Sequence, residues 1–150
     1  MLAIHPECEV TLCGERLGAD NLDPIFAFEP EFVVDAVDCV TAKLALIELC
    51  KKRGVGIVSS MGTGNRLDAS GFTIGDIEET AGCGCGLARV MRRELRRRQI
   101  TGVPVLYDRN APLAPADGQR VPASVSFVPP VAGYLLAGYV VRALTEPEMR

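Results

Sequence analysis

The sequence has one histidine, no Gly-x-Gly-x-x-Gly and no Cys-x-x-Cys pair. A doubly wound nucleotide domain opens with a strand, a glycine turn and a helix that hold the phosphates. Without that fingerprint, these residues carry no such loop. A structural zinc site wants four ligands. Cys83-x-Cys85 supplies two, and the rest would have to come from Cys8, Cys13, Cys39, Cys50 or His5. The lone histidine also leaves no well-placed His–Cys dyad. The N-terminus is short of basic charge, which predicts no signal peptide. There is no internal repeat. Charge is absent from residues 121–141, a run of 21. Its helical part is expected to start only after Pro130, leaving roughly 14 residues or about 21 Å. A bilayer core is about 30 Å, so no membrane span is expected.

What is present is one apolar domain: 150 residues, 48% hydrophobic, enough for a single core. The formal charge of −3 is uneven. Residues 1–50 hold ten acids against two bases, and residues 51–100 hold ten bases against five acids. The second stretch can steer an anionic partner.

The pattern centres on residues 32–53. Phe32-Val33-Val34 reads as a buried strand, and residues 40–53 as a helix with Leu44, Ile47 and Cys50 on one face. Gly54 closes that helix after Lys51, Lys52 and Arg53. A second strand, 55–60, follows at once. Parallel strands need such a crossover. The remaining expectations are a strand at 8–13, a short helix from Asp20 to about Phe28, a strand at 71–75 and a polar turn at 76–80. Beyond them come a flexible glycine-rich stretch at 81–86, a helix at 87–99, a strand at 103–107, a loop at 108–121, a strand at 123–128 and a helix at 131–144.

Ligands of open α/β sheets sit beyond the carboxyl ends of the strands. Asp38 falls at that edge. It can hold Mg²⁺, a hard cation that takes carboxylate oxygens, or only cap the helix. Lys43 can reach a phosphate or be a solvated helix lysine. Asp35 points away from Val34 and fits a satisfied turn carboxylate. The amides of Gly62-Thr63-Gly64-Asn65 can cradle an anion, or the glycines serve the bend alone. Cys85 opens the arginine-bearing helix, whose positive end favours a nucleophilic thiolate; the alternative is a free loop thiol. Arg89, Arg93 and Arg96 share a helix face. They read as contacts to nucleic-acid phosphates or as a solvated helix back.

Four blocks then resemble one family: VDAVDCVTAK at 34–43, SSMGTGNRLD at 59–68, CGLARVMRRELR at 85–96 and SVSFVPPVAG at 124–133. They resemble the E1-like ThiF/MoeB/HesA superfamily, in its tRNA threonylcarbamoyladenosine dehydratase branch. The resemblance implies an α/β, partial Rossmann-like ThiF-type domain with a mainly parallel sheet and an antiparallel C-terminal part. It covers the carboxyl-terminal portion of the catalytic domain: residual Rossmann-like elements at 1–80, a cysteine loop, arginine helix and loop at 81–122, and a final strand and helix at 123–150. The family's N-terminal nucleotide-binding βαβ, with its Gly-x-Gly-Gly-x-Gly loop, is lacking.

By resemblance the cofactors are ATP and Mg²⁺, and the reaction cyclises the threonylcarbamoyl group of tRNA adenosine 37 through an acyl-adenylate. Asp38 would hold Mg²⁺ and ATP, with Lys43, Gly62, Gly64 and Asn65 beside the nucleotide and Cys85 catalytic. Cys85 is followed here by Gly86, where the family usually has proline. Expected partners are tRNA, met by Arg89, Arg93 and Arg96, a second copy in a homodimer, and a cysteine desulfurase or other sulfur-transfer protein. The location implied is cytoplasmic. Two alternatives are a non-catalytic remnant that binds a partner protein, and an adenylyltransferase for a ubiquitin-like sulfur carrier. The missing Cys-x-x-Cys pairs disfavour the latter.

Overall fold

A computed structural model describes residues 3–114 and 122–146. The elements in chain order are α1 (Asp23–Phe26), β1 (Phe32–Asp35), α2 (Val40–Arg53), β2 (Gly56–Ser60), β3 (Phe72–Asp76), a 3₁₀ turn (Ile77–Thr80), α3 (Gly86–Arg97), β4 (Pro104–Asp108) and α4 (Val128–Thr145). The strands form one sheet in the order β1-β2-β4-β3. β1, β2 and β4 run parallel, and β3 runs antiparallel to β4.

Side chains alternate across the strands and sort into two cores. Ile57, Val105 and Tyr107 face α2 and α3, meeting Leu46, Ile47, Met91 and Leu95. Val58, Leu106 and Phe72 face α4, meeting Val128, Ala132 and Leu136. This is the period-2 signature of a sheet covered on both faces. The β1-α2-β2 unit forms as expected, and Gly54 ends α2 at φ 69°, a conformation that suits glycine. β1 is an edge strand, and Val34 on its α4 side is exposed.

Several expectations are corrected. No strand forms at 8–13; those residues are largely exposed and pair with no other strand. The helix expected from Asp20 shortens to α1. No strand forms at 123–128 either. Its backbone meets one residue and a turn: Ala123 N–H donates to Asn65 Oδ1 and the Ala123 carbonyl accepts the Asn65 N–H, while Val128 N–H donates to the Val125 carbonyl. The antiparallel strand therefore lies in the middle of the chain, at β3. Helix α4 starts at Val128, not after Pro130, because both prolines fit its first turn, where no N–H partner is needed. Its 18 residues span about 27 Å, long and apolar enough to cross a membrane. Here it lies across the sheet, in contact with all four strands.

The 81–86 stretch is not loose. Gly82 and Gly84 take positive φ, and the alternation turns Cys83 and Cys85 into the core. A side chain on Gly84 would strike Ala111.

Candidate functional site

The carboxyl edge of the parallel strands gathers most of the expected residues. Asp38 follows β1, the 62–65 turn follows β2, and Asp108 ends β4. Cys85 comes to the same edge: a Cβ on Gly62 would stand 3.2 Å from its Sγ. Gly62 and Cys85, 23 positions apart in the sequence, are thus neighbours (62 and 85). Cys85 is the N-cap of α3, its Sγ accepting the Ala88 N–H at 3.5 Å. It is a free thiol, and it is buried.

Asp38 is exposed and plays no capping role. The N-cap of α2 is Cys39, and no side chain caps there. The helix-cap alternative is therefore set aside.

Lys43 is fully buried, neither solvated nor open to a phosphate. Asp35 and Ser59 stand opposite each other in the β1–β2 register, and α2 lays Lys43 over them. Lys43 Nζ donates to Asp35 Oδ2 at 2.9 Å and to Ser59 Oγ at 3.2 Å. Ser59 Oγ donates to the same Asp35 oxygen at 2.6 Å, and Val37 N–H to Asp35 Oδ1 at 3.0 Å. Burial lowers the Lys43 pKa; Asp35 opposes that shift, and Asp38 adds a smaller pull in the same direction as Asp35. The cluster fixes the turn between β1 and α2, on which Asp38 rides. Asp35 was readable as a satisfied turn carboxylate. The burial of Lys43 and the part of Ser59 were missed, because the three residues come from two strands and a helix.

In the 62–65 turn, Asn65 sits at φ 57° and is committed internally. Its N–H donates to the Ala123 carbonyl, its carbonyl accepts the Leu113 N–H, and its Oδ1 accepts the Ala123 N–H. Gly64 lies against Pro122. Among the described residues, the amides of Gly62, Thr63 and Gly64 have no hydrogen-bond partner, so these three are the ones left for an anion.

The arginine helix is laced to acids of the same chain. Arg96 pairs with Glu78, Arg93 and Arg97 with Glu94, and Arg98 with Glu48 and Glu94. Arg92 donates to Thr80. Arg89 is exposed and makes no such pair among the described residues. Arg89, Arg93 and Arg96 remain on the surface, but two of the three already have carboxylate partners.

A concavity of about 620 Å³ opens at the other edge of the sheet, among Phe32, Gly56, Ile74, Pro104 and Tyr139. It holds none of these groups, so the carboxyl edge is the better candidate. Among the described residues no three His, Cys, Asp or Glu side chains cluster as a metal site. A lone carboxylate is still enough for Mg²⁺, which keeps waters and phosphate oxygens as its other ligands.

The ThiF family model matches residues 1–150. The chain belongs to the ThiF family. It is 32% identical over 157 aligned residues to the tRNA threonylcarbamoyladenosine dehydratase of Bacillus subtilis (strain 168), covering 94% of this chain and 61% of that protein. It is 32% identical over 115 residues to tRNA threonylcarbamoyladenosine dehydratase 2 of Saccharomyces cerevisiae, covering 75% of this chain and 25% of that protein. Its fold superposes on the Escherichia coli tRNA N6-threonylcarbamoyladenosine dehydratase, TcdA, solved in complex with AMP. The TM-score is 0.85 at 23% identity, over 98% of this chain and 61% of that one. The chain thus spans under two thirds of these relatives.

In this ThiF-family chain all six cysteines are free thiols. Cys50 is sealed in the core, and burial with the nearby Asp35 pushes its pKa up to about 11. With a disulfide-exchange reagent at neutral pH, exposed Cys13 is expected to react first and half-buried Cys8 and Cys39 next. Cys50, Cys83 and Cys85 should react only on unfolding. Burst labelling of Cys85 in the native chain would show instead that the 62–65 turn opens readily.

Proposed function

We propose that this chain is the carboxyl-terminal portion of an ATP-dependent tRNA threonylcarbamoyladenosine dehydratase. The observation that carries the reading is the Asp38 carboxylate, exposed at the carboxyl edge beside the buried Asp35–Lys43–Ser59 cluster and, among the described residues, without a hydrogen bond or ion pair of its own. Family membership and the dehydratase relatives supply the reaction class.

ATP with Mg²⁺, when bound, would supply an adenylyl group: the substrate carboxylate displaces pyrophosphate from the α-phosphorus, and AMP is then the leaving group. Asp38 would offer the metal an oxygen ligand, and the free amides of Gly62, Thr63 and Gly64 would line the anion's side of the crevice. Asn65 holds that turn in place, and Cys85 stands behind Gly62. Lys43 is bonded to Asp35 and Ser59 and supports the β1–α2 turn that carries Asp38. Cytoplasmic location, a homodimer and a sulfur-transfer partner belong to the same reading. The test is direct: with MgATP and threonylcarbamoylated tRNA, AMP release and loss of water from the modified nucleoside are expected from an active preparation. ATP turnover with a ubiquitin-like carrier and none with tRNA would favour the adenylyltransferase alternative.

The arginine helix is proposed to meet tRNA phosphates chiefly through Arg89, with Arg93 and Arg96 exchanging partners. Replacing all three by alanine should weaken tRNA binding and flatten its salt dependence, each lost phosphate contact lowering the slope by roughly 0.7–0.9. Unchanged binding of the triple variant in filter assays across salt returns the helix to a self-paired surface.

A further inference from the structure

Arg66 follows the 62–65 turn, and its side chain is only 3% exposed. One of its terminal nitrogens is fully used. Nη1 lies 2.8 Å from Asp108 Oδ2 and donates to the Asn110 carbonyl at 2.8 Å. The guanidinium carbon stands 5.9 Å from the centre of the Phe72 ring. The other two nitrogens, Nε and Nη2, are buried and have no partner. Among the described residues they are the only buried side-chain nitrogens or oxygens in that condition.

Buried donors are nearly always satisfied, and an orphan calls for a reason. These two are not a random pair. Nε–H and Nη2–H lie along one edge of the planar guanidinium, parallel and spaced to meet two oxygens of one carboxylate or phosphate. The edge that Asp108 does not use is therefore a complete fork of donors without an acceptor. It also lies where a ligand of this fold would come: β2 and β4 are parallel neighbours, Asp108 is the last residue of β4, and Arg66 lies in the loop that follows β2.

We propose that the Nε–Nη2 edge of Arg66 is an oxyanion-binding site, taking a carboxylate or phosphate group side-on. Asp108 holds the guanidinium by Nη1, and Phe72 packs near its plane, so the fork is pre-oriented. The two nitrogens are closed to solvent, so binding needs local opening and is slow relative to a surface ion pair. The site stands independently of any adenylation chemistry on the same edge.

The test uses the whole chain without nucleotide or metal. The Arg66 Nε–H resonance, assigned through its proximity to the Phe72 ring, is followed while inorganic phosphate or acetate is added. A saturable shift at Arg66, with only a weak linear drift at exposed Arg89, is expected. Saturation by phosphate alone identifies a phosphate site, and saturation by acetate alone a carboxylate site. Saturation by both identifies a general oxyanion fork. Arg66→Lys keeps a cation but loses the paired donors, and its affinity for the same anion should be at least about tenfold weaker by titration calorimetry. No saturable shift with either anion, a shift matched at Arg89, or equal affinity in a folded Arg66→Lys protein would overturn the proposal. Should that variant not fold, the resonance titration of the parent decides alone.

Discussion

Replacing Lys43 by methionine is expected to cost about 3–5 kcal/mol of stability, because it leaves the Asp35 carboxylate buried without its counter-ion. Such domains are stable by only about 5–15 kcal/mol, so this one change removes a large share. For a chain of this size, about 1 kcal/mol moves the melting point by roughly 2–4 °C, and a fall on the order of 10 °C follows. The pair itself is not a source of net stability. Burial lowers the Lys43 pKa despite Asp35 at 2.9 Å, so desolvation outweighs attraction. Removing both charges, in Asp35→Leu with Lys43→Met, should therefore recover most of the loss.

The pH dependence has a definite sign. Unfolded, Lys43 titrates near 10.5, and folded it titrates lower. Between those values the unfolded chain holds more protons, so stability contributed by Lys43 rises with pH across that window. The full penalty of burying the ammonium applies below the folded pKa. Urea midpoints measured at rising alkaline pH, up to the unfolded value of 10.5, should show this rise in the parent and not in Lys43→Met. A single variant as stable as the parent would mean that Lys43 is not buried in solution.

That cluster also shows what the sequence could and could not convey. The β1-α2-β2 unit was legible because its apolar spacing switches cleanly from strand to helix to strand, and Gly54 marks the break. Helix α3 was legible for the same reason. Lys43 was not, because periodicity puts a lysine in solvent unless something names its partner. Asp35 is eight positions earlier and Ser59 sixteen later, and only the packing of α2 over the β1–β2 register brings them together. The 123–128 segment failed in the opposite way. Its polar–apolar alternation is real, but a strand needs a neighbour, and Ala123 instead bonds to Asn65. Arg66 carried no signal at all: a single charge after a glycine turn looks like any surface arginine.

Converting Asp38 to asparagine should separate metal binding from fold. The carboxylate is exposed, Cys39 and not Asp38 stands at the N-cap of α2, and no side chain caps that helix end. Stability should therefore stay within about 0.5 kcal/mol of the parent, the range of an ordinary surface change. Binding should not. A carboxylate alone repels a triphosphate, and Mg²⁺ reverses that sign by bridging the two. Buried Lys43 nearby only partly offsets the repulsion, since its charge is shared first with Asp35. With no Gly-x-Gly-Gly-x-Gly loop in these residues, the chain is expected to bind MgATP only in the millimolar range, about −4 kcal/mol. In Asp38→Asn that affinity should fall by about tenfold or more, roughly 1.4 kcal/mol. Affinity for ATP without Mg²⁺ should hold steady or rise slightly, because a negative charge has been removed. Calorimetric titrations with and without Mg²⁺ read both signs in one experiment. Equal MgATP affinity before and after the substitution would take Asp38 out of the metal site.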